Sequence, residues 1–240
     1  MIELHAFDDP HAQAGALAKA VSDALQASLA ARGSPPGNAP GAASRATLAV
    51  SGGTSPRLFL QTLAHEPIEW RRVDVTLVDD RWVPETDPAS NARLVRETLL
   101  THAASAARFL PLVDVSKDIE AHVAALNADP ERTLPELAVL GMGEDGHTAS
   151  LFADAPADEW AHATSPKAQR FVAIHPRHAP HARVSLSLAA LARIERLFLL
   201  IADERKLDVL NAAVSAPQEN AISKLANHKG VRLDVYWCAK

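Results

Sequence analysis

The sequence predicts an α/β fold, a largely parallel sheet flanked by helices. Two observations carry that prediction. Short apolar runs of strand length alternate with segments of helical period from residue 47 onward, which argues βαβ units around a parallel sheet. Three unusual loops, rich in glycine or charge, each follow directly on one of those runs, and open α/β sheets bind ligands beyond the carboxyl ends of their strands. A length of 240 residues, against about 150 per domain, leads us to expect a single domain over 1–240.

The elements follow in order. After a short apolar start, 10–32 is rich in Ala and Leu, with Leu17, Val21, Leu25 and Leu29 on one helical face and a stop at Gly33. The stretch 33–45 combines Pro and Gly in a density that sustains neither helix nor central strand, and is expected to be a flexible loop. Beyond it come a strand at 47–51, a helix at 56–64, a strand at 73–78, and helices at 91–102 and 119–126. Strands are expected at 137–141, 170–174, 184–188 and 196–202, then a helix at 206–214 and a closing strand at 231–238.

Composition excludes several classes. The chain is 48% hydrophobic, with 24 basic against 29 acidic side chains and a net charge of −5, so it is neither disordered nor fibrous. No apolar run approaches the ~20 residues a bilayer requires, and no basic stripe invites duplex nucleic acid or anionic lipid. Neither nucleic acid nor membrane is an expected partner. The single Cys238 forms no internal disulfide, and Met1-Ile-Glu-Leu-His5 lacks the pattern of a secretory leader, so a cytoplasmic location is expected.

The first loop reads Ser51-Gly-Gly-Thr-Ser-Pro56. Gly52 and Gly53 permit positive φ and close backbone approach, Ser55 is a candidate N-cap, and Pro56 suits the first helical turn. Exposed N–H groups there would cradle a phosphate, although the same residues also make a plain tight turn. The Gly-Lys-Ser/Thr ending of a nucleotide P-loop is absent. The second loop, Asp79-Asp-Arg-Trp-Val-Pro84, offers Arg81 as a bidentate hold on an oxyanion, oriented by an acidic neighbour; a surface ion pair is the commoner fate of such charges. Ser90-Asn91 downstream is placed to cap the next helix.

The third loop runs from Gly141 to Phe152, Gly-Met-Gly-Glu-Asp-Gly-His-Thr-Ala-Ser-Leu-Phe. Gly141, Gly143 and Gly146 match the dinucleotide fingerprint in form. That fingerprint needs a full helix behind it and an acidic residue about 20 positions on. Here 153–157 cuts any helix short and the strand at 170–174 ends without a carboxylate, so no dinucleotide is expected. What remains is Asp145 and His147, a carboxylate and an imidazole suited to general-base work. A metal reading would draw on His175, His178 and His181, but Pro176 and Pro180 prevent their alignment. Two more cations merit notice, Arg183 opening a strand and Lys206 beginning a helix, where the dipole disfavours a positive charge; on position alone Lys206 also reads as a solvated lysine.

Ser51-Gly-Gly, Asp79-Asp-Arg with Ser90-Asn91, the Asp145-Gly-His-Thr-Ala-Ser-Leu-Phe152 block, Arg183-Val-Ser-Leu and Lys206 occur in the order and spacing of the 6-phosphogluconolactonases. The chain resembles that family over nearly its whole length. The related glucosamine-6-phosphate deaminases usually carry Asn-Glu-Pro where this chain has Ser150-Leu-Phe. The resemblance implies a Rossmann-like fold, no cofactor or metal, and hydrolysis of 6-phosphoglucono-1,5-lactone, a sugar-phosphate lactone. It further implies His147 as base with Asp145 beside it, and Ser51, Gly52, Gly53, Arg81, Arg183 and Lys206 on the substrate and its phosphate. Two departures stand out: members commonly read Asp-Glu-Arg at 79–81 and Phe-Pro at 152–153, so Asp80 is left outside the catalytic set. An amino-sugar-phosphate deaminase or isomerase is the alternative activity, and a monomer or small homo-oligomer the expected assembly.

Overall fold

The computed structural model describes residues 1–33 and 44–239; most of the expected flexible loop at 33–45 lies outside them. In chain order the elements are β1 (Ile2–Phe7), α1 (Pro10–Ala31), β2 (Ala46–Val50), α2 (Arg57–Leu63), β3 (Val73–Leu77), β4 (Asp79–Arg81), α3 (Asn91–Thr98), β5 (Arg108–Leu110) and α4 (Ile119–Ala128). There follow β6 (Leu137–Leu140), α5 (Ala157–Thr164), β7 (Phe171–Ile174), β8 (Arg183–Leu186), α6 (Leu188–Leu191), β9 (Arg196–Ala202), α7 (Glu204–Ser215), α8 (Ala221–Ala226) and β10 (Leu233–Cys238).

Seven strands form one sheet in the order β1-β10-β9-β6-β2-β3-β5, and every pairing in it is parallel. Its central strands are apolar because helices cover both faces: all residues of β2, β3 and β6 are buried. Helix α1 starts where Asp9 accepts a hydrogen bond from Ala12 N and Pro10 opens the first turn. The stripe Leu17, Val21, Leu25, Leu29 enters the core, and the chain leaves the helix through Gly33 at φ 68°, a conformation glycine adopts freely. No helix among the described residues is long and apolar enough to cross a membrane.

Four expectations are corrected. The segment Asp79–Arg81, read as a loop, is the strand β4. It pairs antiparallel with β8, which pairs antiparallel with β7, so the strands expected near 170 and 184 build a separate three-stranded sheet. The helix expected over 91–102 ends at Thr98, and a 3-10 turn, His102–Ala106, follows. Ser55 caps nothing; Pro56 is the N-cap of α2 and brings no side-chain bond. In line with the break expected at 153–157, the next helix after the loop at 141–152 starts only at Ala157.

Strand order fixes where a ligand can enter. From β2 the chain steps outward to β3 and β5; from β6, the other neighbour of β2, it steps the opposite way to β9 and β10. The crevice beyond the carboxyl ends of β2 and β6 is therefore the topological switch point, the position at which such sheets bind ligands.

Candidate active site

A cleft of about 270 Å³ opens at that switch point. Its floor joins the two loops directly: Ser51 N donates to Val139 O at 3.0 Å, and Gly141 N donates to Ser51 Oγ at 3.0 Å. Ser51 thus fastens the β2 and β6 ends together. Gly53 has φ 98°. Gly52 is demanded by proximity instead, since a β-carbon there would lie 1.8 Å from Asn91 Oδ1. The N–H groups of Gly52, Gly53 and Thr54 find no acceptor among the described residues, and successive free N–H groups form a concavity that suits an anion.

One wall comes from the small antiparallel sheet. Register places Arg81 directly opposite Arg183, and like charges in that relation repel unless something negative lies between them. Arg183 is 6% exposed, its Nε has no partner, and Nη2 donates only to Pro180 O. Burial, and after it the charge of Arg81, pushes Arg183 below the usual arginine range, against the pull of Asp79 and Asp80. Arg81 donates to Ala89 O and Asn91 Oδ1, while Asn91 Nδ2 donates to Asp79 O at 2.9 Å. An amide and a carbonyl, not the expected acidic neighbour, orient Arg81. Two cations facing the cleft without a carboxylate bound to either are a site waiting for an anion.

The adjacent acids are occupied elsewhere. Asp79 accepts from Ser150 Oγ at 2.6 Å. Asp80 accepts from the N–H groups of Arg81, Asn91 and Ala92 at 2.8, 2.7 and 3.0 Å, so it pins the start of α3 to β4. Burial raises its pKa to about 6 despite those three donors, and the Asp79 charge adds to the rise. Leaving Asp80 outside the catalytic set agrees with this position.

The opposite wall is the loop after β6. His147 Nδ1 lies 2.6 Å from Asp145 Oδ1, which also accepts from His147 N at 3.2 Å. Because an ionised carboxylate only accepts, Nδ1 carries the proton and Nε2 is left as the basic nitrogen. Burial acts to raise the Asp145 carboxyl, but the hydrogen bond and charge of His147 outweigh it and hold the group below the usual carboxylate range. Gly146 at φ 77° turns the loop, and Ala149, at φ 50°, takes a left-handed conformation that costs a non-glycine residue energy. Phe152 lies between the two walls: its ring centroid is 4.2 Å from that of His147 and 5.6 Å from Arg183 Cζ.

Lys206 reaches the same cleft from α7. The N-cap of that helix, Asp203, has φ 68° and ψ 158°, a region almost reserved for glycine, and accepts from Lys206 N at 2.9 Å. The Lys206 ammonium has neither hydrogen bond nor ion pair among the described residues.

The fold therefore brings together seven of the eight residues that the sequence singled out: Ser51, Gly52, Gly53, Arg81, His147, Arg183 and Lys206 all line the cleft. Asp145 does not line it and is joined to it by its hydrogen bonds with His147. The histidines at 175, 178 and 181 gather no metal site: His175 pairs with Glu159 at 2.9 Å and His178 with Asp154 at 2.6 Å. Sequence reasoning missed the bracing by Asn91 and the contacts of Phe152. The sequence offers Ser90-Asn91 as a cap, and Ser90 alone is the N-cap of α3; the task of Asn91, holding Arg81, depends on a strand pairing that no local pattern announces.

Sheet order and cleft define the class first: a Rossmann-like α/β protein with a cationic cleft beside a histidine. A family model described as glucosamine-6-phosphate isomerases/6-phosphogluconolactonase matches residues 8–237. A 6-phosphogluconolactonase of Neisseria meningitidis is 39% identical over 241 residues, 99% of each chain. One of Mesorhizobium japonicum is 39% identical over 237 residues, 97% of this chain and 94% of its own. The crystal structure of a 6-phosphogluconolactonase from Shewanella baltica gives a TM-score of 0.86 at 32% identity, covering 100% of this chain and 98% of that one. The chain belongs to the 6-phosphogluconolactonase family.

Proposed function

We propose that this chain hydrolyses 6-phospho-D-glucono-1,5-lactone to 6-phospho-D-gluconate, the second step of the oxidative pentose phosphate pathway, with His147 as general base. The observation that carries the reading is the imidazole held through Nδ1 by Asp145 in a cleft whose other walls supply Arg81, Arg183 and Lys206. A δ-lactone is an activated ester, so its hydrolysis needs a base, charge stabilisation at the carbonyl oxygen and a proton for the leaving ring oxygen. His147 Nε2 takes a proton from water as the water oxygen bonds to C1. The tetrahedral oxyanion then collapses, the bond from C1 to the ring oxygen breaks, and the imidazolium returns its proton to that oxygen. The new carboxylic acid ionises into solvent and His147 is restored. In this reading the free N–H groups of Gly52, Gly53 and Thr54 cradle the phosphate, and Arg81, Arg183 and Lys206 divide between it and the carbonyl oxygen. The fully buried thiol of Cys238 suits a reducing cytoplasm.

The test follows lactone disappearance at slightly acidic pH, where spontaneous opening is slow, with and without EDTA. Acceleration that survives EDTA and drops by at least ~100-fold in His147→Ala, the lower range for loss of a general base, is the expected result. Turnover within a few-fold of the parent in that variant would overturn the mechanism. No acceleration at all would move the assay to ammonia release from glucosamine 6-phosphate.

A further inference from the structure

Beside the catalytic cleft lies a second groove of about 500 Å³, with Arg81 and Arg183 common to the lining of both. Arg57, the first residue of α2, and Arg93, on α3, line it as well, together with His181. Glu97 is its one carboxylate, and Glu97 is already engaged by Arg93 Nε at 2.8 Å. Four arginines against one glutamate leave a surplus of positive charge in a chain whose net charge is −5. The Arg57 side chain makes no hydrogen bond or ion pair among the described residues, and the Nε of Arg183 is buried without a partner. Guanidinium groups crowded in a concave site in excess of their one counter-charge are most readily neutralised by phosphoryl oxygens, which accept their paired donors.

The arrangement also limits the ligand. A single phosphate held by Arg81 and Arg183 would leave the Arg57 side chain unused and Arg93 held only by Glu97 and Thr86 O, because Arg57 and Arg93 line only the groove. We propose that the groove is a second anion subsite, so that cleft and groove together take a ligand bearing two phosphoryl groups, one in the catalytic cleft and one held by Arg57 and Arg93. This rests on the reading that the cleft holds the substrate's phosphate. A monophosphorylated lactone fills the cleft alone, and a bisphosphorylated compound competes with it by spanning both.

Calorimetric titration with inorganic phosphate and with pyrophosphate, both in metal-free buffer, tests the idea without any turnover. Pyrophosphate is expected to bind at least tenfold more tightly than phosphate and to inhibit the lactone reaction competitively. The double variant Arg57→Gln/Arg93→Gln is expected to reduce that preference below threefold, with phosphate affinity and lactone kcat/KM within twofold of the parent. The exposed single variant Arg57→Gln gives an intermediate value and guards against a double variant that folds poorly. Equal affinities in the parent, or a preference that survives the double variant, overturn the proposal. A tenfold rise in lactone KM in the double variant also overturns it, because the groove would then be the substrate's own phosphate pocket. If the parent shows the pyrophosphate preference but no lactonase activity, the catalytic reading fails and the second subsite stands.

Discussion

Gly143 shows how tightly single residues are specified around the proposed base. A β-carbon at 143 would stand 2.3 Å from His147 Cε1 and Nδ1 and 2.5 Å from Asp145 Oδ1, so even one methyl group must displace the pair. Gly143→Ala is therefore expected to lower kcat at least tenfold while denaturant unfolding shows a loss of only about 1–3 kcal/mol, the usual cost of overpacking. Full kcat in that variant would mean that the His147–Asp145 geometry does not matter to the reaction. Asp80 carries a different signature. Its pKa rises to about 6 in the folded chain from about 3.9 in an unfolded one. Between those values the native state holds a proton that the unfolded state has released, so stability falls as pH rises through the window. Asp80 thus contributes most below about pH 4, and about 3 kcal/mol of that is lost by the time pH passes well above 6. Unfolding free energies of the parent and Asp80→Asn, compared from pH 4 to 8, should diverge with that sign. A difference independent of pH would show that Asp80 does not titrate there. Its ionised form, costly to bury, is the one that best accepts from Arg81, Asn91 and Ala92.

Among the elements, the informative join is between the small sheet and the loop after β6. Ser150 Oγ donates to the buried Asp79 of β4, and Ser150 N donates to Ser185 Oγ of β8 at 3.1 Å. The loop that carries His147 and the strands that carry Arg81 and Arg183 therefore move as one. Ser150→Ala removes the hydroxyl donor of a buried carboxylate, which costs about 1–3 kcal/mol, and is expected to raise the KM for the lactone several-fold by loosening both walls. Urea unfolding and steady-state kinetics on one preparation check it; a loss below about 0.5 kcal/mol would remove the tie from the account. The same join marks the limit of what the sequence discloses. Ala46–Val50 and Leu137–Leu140 read as strands at once, because helices on both faces make every position but Thr47 apolar. Asp79-Asp80-Arg81 carries no such pattern and is a strand only because Arg183–Leu186 pairs with it. The edge strand Ile2–Phe7 has no buried residue, and Arg108–Leu110 is three residues long, so neither carries the apolar run that marks the central strands. The glycine loops and their histidine were legible because backbone conformation and close approach restrict residue type locally; the bracing of Arg81 by Asn91 was not, because it depends on partners far along the chain.

For the molecule as a whole, charge distribution opposes charge total. A chain of net charge −5 repels a phosphorylated substrate at long range, whereas Arg81, Arg183 and Lys206 gather positive charge inside one concave opening, and a low-dielectric cleft focuses their field outward. Capture then depends on whether the local field reaches beyond the ionic atmosphere. The Debye length contracts from about 30 Å at 0.01 M salt to about 8 Å at 0.15 M. Over that range kcat/KM for the lactone is expected to fall several-fold through KM, with kcat constant within about twofold, since the base and its carboxylate lie too close together to be screened. Charge-neutral Gln in place of Lys206 should flatten the dependence, because among the described residues the Lys206 ammonium has neither hydrogen bond nor ion pair. A kcat/KM indifferent to salt in the parent would mean that the overall negative charge cancels the local field at the mouth, leaving the cations to act only after contact.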